Sequence, residues 1–205
     1  RVRSSAASDV YKRQYADSLK QNKDTASQAF VLYQEAEKKN KALQPKKIGA
    51  LYGGKATCLI QEKKYSSARE ILLQGIELLN GIGGVARGLS IHYAKTYISE
   101  ENYEAAENIL NLILTKCLKH RPDTEEFPDD PIIKYIYPDP FINEEISFYH
   151  RLDDKQPVHT QEILSVYYAL ARLYIKKNDS AGYSRIKNKI IALSPQDRFV
   201  NNNHI

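Results

Sequence analysis

The sequence predicts an all-α fold built from consecutive helix pairs, on three observations. The stretch "KKYSSAREILLQGIELL" at 63–79 is echoed 38 residues later by "ENYEAAENILNLILTKC" at 101–117. In both copies apolar residues recur every three or four positions, the spacing of one helix face. A second amphipathic stretch precedes each copy across a short polar turn. "LYGGKATCLIQEKK" at 51–64 precedes the first and "LSIHYAKTYISEEN" at 89–102 the second. The composition, 42% hydrophobic and 27% charged, is that of an ordinary globular chain.

The internal alignment assigns positions. Tyr65 stands opposite Tyr103, Ala68 opposite Ala106, Leu72 opposite Leu110 and Gly75 opposite Ile113. In the preceding helices Ala56 matches Ala94, and Leu59 matches Tyr97. Small residues at 56, 68, 94 and 106 let the paired helices approach closely. The turns fall at Glu62–Lys64 and Ser99–Asn102. Weaker copies flank these two. "ASQAFVLYQEAEKKN" at 26–40 puts Ala29, Tyr33 and Ala36 on one face. The stretch before it, "YADSLKQNKD", is short, so the first pair reads as truncated. At the other end "YYALARLYIKKND" at 167–179 aligns Tyr167, Leu170, Ala171 and Tyr174. Its partner "SAGYSRIKNKIIALSP" puts Tyr183, Ile186, Ile190 and Leu193 on a stripe, with Tyr183 where the other pairs carry Ala.

The order of an aromatic or large apolar residue, a small residue, Tyr, Ala, a large apolar residue and a small one resembles the tetratricopeptide repeat, most fully over residues 49–118. Lys55 takes a usual Leu site, and Asn80 or Leu118 the place of a usual Pro. The 38-residue spacing exceeds the family's roughly 34. The sequence assigns the excess to a longer loop, "NGIGGVARG" at 80–88. The resemblance implies a right-handed superhelical array of three to four helix pairs. Its first helices would line a concave groove through Gly53, Thr57 and Ile60, then Ile91, His92, Lys95 and Ile98, then Tyr168, Arg172 and Ile175. It implies a non-enzymatic scaffold that binds a protein or peptide. The alternative is an accessory segment of a larger enzyme. Some repeats of this kind clamp a terminal carboxylate with Lys and Asn. Asn is missing from these positions, so a short helix or extended peptide of some acidic character is expected instead. Self-association through an uncapped array end is also allowed for.

Two segments stand apart. Residues 1–14, "RVRSSAASDVYKRQ", resemble translated sequencing-adapter read-through and are set outside the fold. The chain contains no Met. Residues 121–158 hold six of the eight prolines, a net charge of −6, and Phe127, Tyr135, Tyr137, Phe141, Phe148 and Tyr149. Such aromatic content is foreign to a disordered linker. This insert is expected to be partly ordered and docked, with a short helix capped by Asn143. It could also plug the groove through Tyr135, Tyr137 or Phe141. The chain therefore reads as a leader to 14, repeats over 15–120, the insert over 121–158 and a final pair over 159–205.

The whole chain carries +5. Without the leader's +3 only +2 remains, weak support for a nucleic-acid partner. With the insert's −6 also removed, the array proper carries +8, a basic body beside an acidic insert. No apolar run reaches the roughly 20 residues of a membrane span. Cys58 and Cys117 cannot form a disulfide framework and read as reduced, half-buried core residues. Gly81, Gly83, Gly84 and Gly88 lack the preceding strand of a dinucleotide fingerprint. His150, Asp153, Asp154 and His159 lie close in sequence without fixed ligand geometry, so no metal is expected. No catalytic residue and no cofactor are assigned. The compartment is left open, with the cytoplasm favoured.

Overall fold

The computed structural model describes residues 12–39, 44–80, 83–118, 129–136 and 160–196. Those residues are all-helical, with helices packed on one another and no strand among them. The chain divides into two compact units, Arg1–Glu100 and Glu101–Ile205. Each is described by itself.

In the first unit, residues 12–19 form α1 and Lys23–Thr25 a short 3-10 turn. Then come α2 (Ala26–Lys39), α3 (Pro45–Gln61), α4 (Tyr65–Leu78) and α5 (Gly83–Ser99). The first helix begins inside the leader set aside from sequence. Lys12 Nζ donates to Glu35 Oε2 at 2.6 Å, and Ala16 is fully buried. Residues 1–11 lie outside the described residues.

Helix α3 packs on α2, α4 and α5, and α4 also packs on α5. Ala29, Tyr33 and Ala36 bury together on α2, as their spacing predicts. Ala56 and Ala68 are fully buried on α3 and α4. Two glycines carry close approaches. A side chain at Gly54 would run into the Tyr33 ring. A Cβ at Gly75 would come within 2.7 Å of Tyr52 and 2.9 Å of Leu89, so α4 fits between α3 and α5 only without one.

Lys55, at the usual Leu site, is 4% exposed. Its ammonium donates to Glu37 Oε2, whose other oxygen accepts the Tyr52 hydroxyl at 2.6 Å. The position is therefore buried as a Leu would be, with its charge met by a carboxylate from α2. Burial alone would raise Glu37, but the hydrogen bonds from Lys55 and Tyr52 outweigh it and hold the carboxyl below its ordinary range.

The segment read as a long glycine loop is mostly helix. Gly83, Gly84 and Gly88 belong to α5. Glycine weakens a helix by roughly 1 kcal/mol per residue, but this turn is anchored by tertiary packing. Ala86 and Leu89 are buried, and Val85 Cγ1 lies 2.6 Å from where a Cβ on Gly49 would stand. The excess of the 38-residue period thus goes largely into helix.

The second unit holds α6 (Tyr103–Cys117), α7 (Ile133–Ile136), α8 (Thr160–Lys176) and α9 (Ser180–Leu193). Helix α6 packs on α7 and α8, and α8 packs on α9. Ala106, Ala171, Tyr167, Leu170 and Tyr174 are buried as their alignment predicts. The stripe of α9 holds at Ile186 and Ile190 and is corrected at its two ends. Gly182, Ile186 and Ile190 are buried, Tyr183 is half-buried, and Leu193 is 39% exposed. A Cβ at Gly182 would stand 2.5 Å from Tyr174 Cδ1. The small residue missing at 183 is supplied one position earlier.

Part of the insert is docked. Ile132 is fully buried and Ile136 nearly so, and Asp130 Oδ1 accepts Ile132 N at 2.9 Å. Tyr135 is half-buried, with Lys134 Nζ 4.8 Å from its ring centroid. Tyr137, Phe141 and the helix capped by Asn143 lie outside the described residues.

Three of the turns between helices carry a left-handed residue. Lys63, Glu101 and Asn178 all have positive φ, at 59°, 66° and 56°. Lys63 N donates to Ile60 O and Lys64 N to Leu59 O, a Schellman closure. Asn178 N to Ile175 O and Asp179 N to Tyr174 O repeat it. Asn102 and Asp179 then cap the next helices, accepting Ala105 N at 3.2 Å and Gly182 N at 2.8 Å.

Candidate partner-binding groove

Helices α3 and α5 lie side by side. A Cβ on Gly53 would meet His92 Nδ1 at 3.6 Å and Leu89 at 3.7 Å. This contact brings together two of the first-unit residues singled out from sequence, Gly53 and His92. Thr57 is half-buried, and its hydroxyl donates to Gly53 O at 2.9 Å. Ile60, His92, Lys95 and Ile98 are half-buried. Ile91 is buried, so it packs α5 rather than presenting a surface. In the second unit, Tyr168 and Ile175 are half-buried on α8 and Arg172 is exposed.

The electrostatics of the α3–α5 face centre on His92. Burial, then the charges of Lys95 and Lys20, push its imidazole down to about 4. It is therefore neutral at pH 7. Lys20, at the end of α1, is held by Asp17 Oδ1 at 2.6 Å. The same oxygen accepts the Tyr33 hydroxyl at 2.5 Å. Burial would raise Asp17, but Lys20 and Tyr33 outweigh it and lower the carboxyl. Cys58 is a poor nucleophile: it is buried, and burial pushes its thiol up to about 11. Cys117 is buried too.

Sequence reasoning missed the polar clamps that join one pair to the next. In the first unit Ser27 Oγ donates to Glu62 Oε1 at 2.5 Å, linking α2 to the end of α3. Arg69 on α4 binds Glu100 Oε2 at 2.6 Å beyond the end of α5, with its guanidinium 4.2 Å from the Tyr97 ring centroid. In the second unit Glu107 on α6 accepts the Tyr174 hydroxyl at 2.7 Å and Lys177 Nζ at 3.0 Å. The signal was present in the alignment. Arg69 matches Glu107, Tyr97 matches Tyr174 and Glu100 matches Lys177, with the charges exchanged.

Among the described residues no cluster of three or more potential ligands could hold a metal ion, and no helix is long and apolar enough to cross a membrane. His150 and His159 lie outside those residues. Comparison with known family models, curated proteins and solved structures returns no match.

Proposed function

We propose that the chain is a non-enzymatic scaffold of the tetratricopeptide type, in which helix pairs stack into a right-handed superhelix and bind an acidic peptide segment on the inner face. The observation that carries this reading is the Gly53–His92 contact, which sets the first helices of neighbouring pairs side by side. The repeated turns and the clamps at equivalent positions support the same stacking. The face offers half-buried Thr57, Ile60 and Ile98, and the charges of Lys95 and Lys20 act on His92 there. A mixed apolar and basic surface suits an extended peptide carrying carboxylates. A nucleic acid would call for a longer track of cations along its backbone.

Selection from a random displayed-peptide library tests the reading. Peptides rich in Asp and Glu should be enriched by the wild-type chain and lost with Lys95→Glu, while Lys46→Glu, on the exposed first turn of α3, keeps them. Failure to enrich any peptide, or equal enrichment by the Lys95 variant, would contradict it.

A further inference from the structure

We propose that residues 129–136 form a detachable cover on α6, and that the surface beneath them is a docking site for a partner's short helix carrying two branched apolar side chains four residues apart. The inference goes beyond the α3–α5 reading and concerns the second unit alone.

The receiving surface follows from α6 itself. Leu112, Ile113 and Leu114 are consecutive and all buried. Successive helical positions turn by about 100°, so the three span roughly 200°. That arc is wider than the apolar stripe of a helix covered from one side. Helix α6 therefore needs more than one neighbour, and in the second unit both α8 and α7 pack on it.

The cover is small and self-contained. Its buried side chains are Ile132 and Ile136. They stand four residues apart on one face, and Ile136 N donates to Ile132 O at 3.2 Å. Asp130 closes the front of the turn. Its carboxylate accepts Ile132 N at 2.9 Å, and its carbonyl accepts Ile133 N at 3.0 Å. Pro131 between them has no N–H to satisfy. Pro131 and Lys134 are exposed. The segment thus carries its own cap and offers two anchors, the pattern of a helix docked in a groove. A single turn is not stable by itself. Two anchors also hold it far less firmly than nine buried residues hold α8. Covalent attachment keeps it in place, by an effective concentration on the order of mM. A partner helix with the same two anchors and further turns of its own would win that competition and release Ile132 and Ile136 together.

The test uses the full chain and a blocked, fluorescently labelled peptide with the sequence of residues 129–136. Ile132→Asp with Ile136→Asp frees the surface. Anisotropy should then show binding at about 0.1 mM to this variant and about tenfold weaker binding to wild type, where the tethered copy competes. Hydrogen exchange on the wild type reads the same property without a substitution. The Tyr135 and Ile136 amides should exchange at least about tenfold faster than that of Ile113 on α6, as local undocking requires. Equal affinity in the two proteins, or no binding to a variant that still melts cooperatively, overturns the proposal. So does a variant that no longer melts cooperatively, or an Ile136 amide as protected as that of Ile113, because the segment is then a fixed part of the core.

Discussion

The junction between α4 and α5 and the junction between α6 and α8 solve one packing problem with opposite charges. In the first, Arg69 reaches Glu100 and lies against the ring of Tyr97. In the second, Glu107 takes Lys177 and the hydroxyl of Tyr174. The connections differ greatly in length, because the second carries the acidic, proline-rich insert. Yet the same three aligned positions, two on helices and one just past a helix end, meet in each unit. The helices and their ends therefore set the junction, whatever the length of the connection between them. A long insertion costs little entropy beyond that of a short loop, since loop closure grows only slowly with length.

A third junction, between α2 and α3, sharpens the comparison because its charge is buried. Glu37→Ala would leave the Lys55 ammonium almost wholly buried without a counter-charge. A loss of about 3 kcal/mol is expected in urea or thermal unfolding, the largest effect foreseen for these junctions. Lys55→Met should cost under about 1 kcal/mol, because it fills the same space and leaves Glu37 with Tyr52 and solvent. Equal losses from the two variants would show that the Glu37–Lys55 pair is not buried as described.

The pair α8–α9 tests the corrected register. Gly182→Leu should cost about 2 kcal/mol by overpacking against Tyr174, while Tyr183→Ala should cost under about 1 kcal/mol. The reverse ranking in thermal melts would restore the register read from sequence.

Much of the fold was legible because its signal is local and repeated. The period of 38, the small residues at 56, 68, 94 and 106, and the polar turns all follow from apolar spacing along single helices. What escaped depends on contacts between helices. Lys55 looked like a departure from pattern because Glu37 lies on another helix. The glycines at 83, 84 and 88 looked like a loop because the burial of Ala86 and Leu89 is not written in local propensity. The shift to Gly182 follows an identical three-residue turn, so nothing before it announces the change. The candidate groove was legible as a set of helix positions. The electrostatic setting of His92 was not, since Lys20 comes from α1, a helix that the sequence reading cut short.

The central claim is that equivalent positions carry each junction whatever charges occupy them. It is tested most directly by inverting one clamp into the other. Glu107→Arg with Lys177→Glu rewrites the α6–α8 clamp as the α4–α5 clamp, with Tyr174 kept in place. Each single change sets like charges together and should lower the melting temperature, modestly because both groups are partly exposed. The double variant should recover most of that loss in a double-mutant cycle of thermal unfolding. Losses that simply add, leaving the double variant the least stable of the four, would contradict the equivalence of the two junctions.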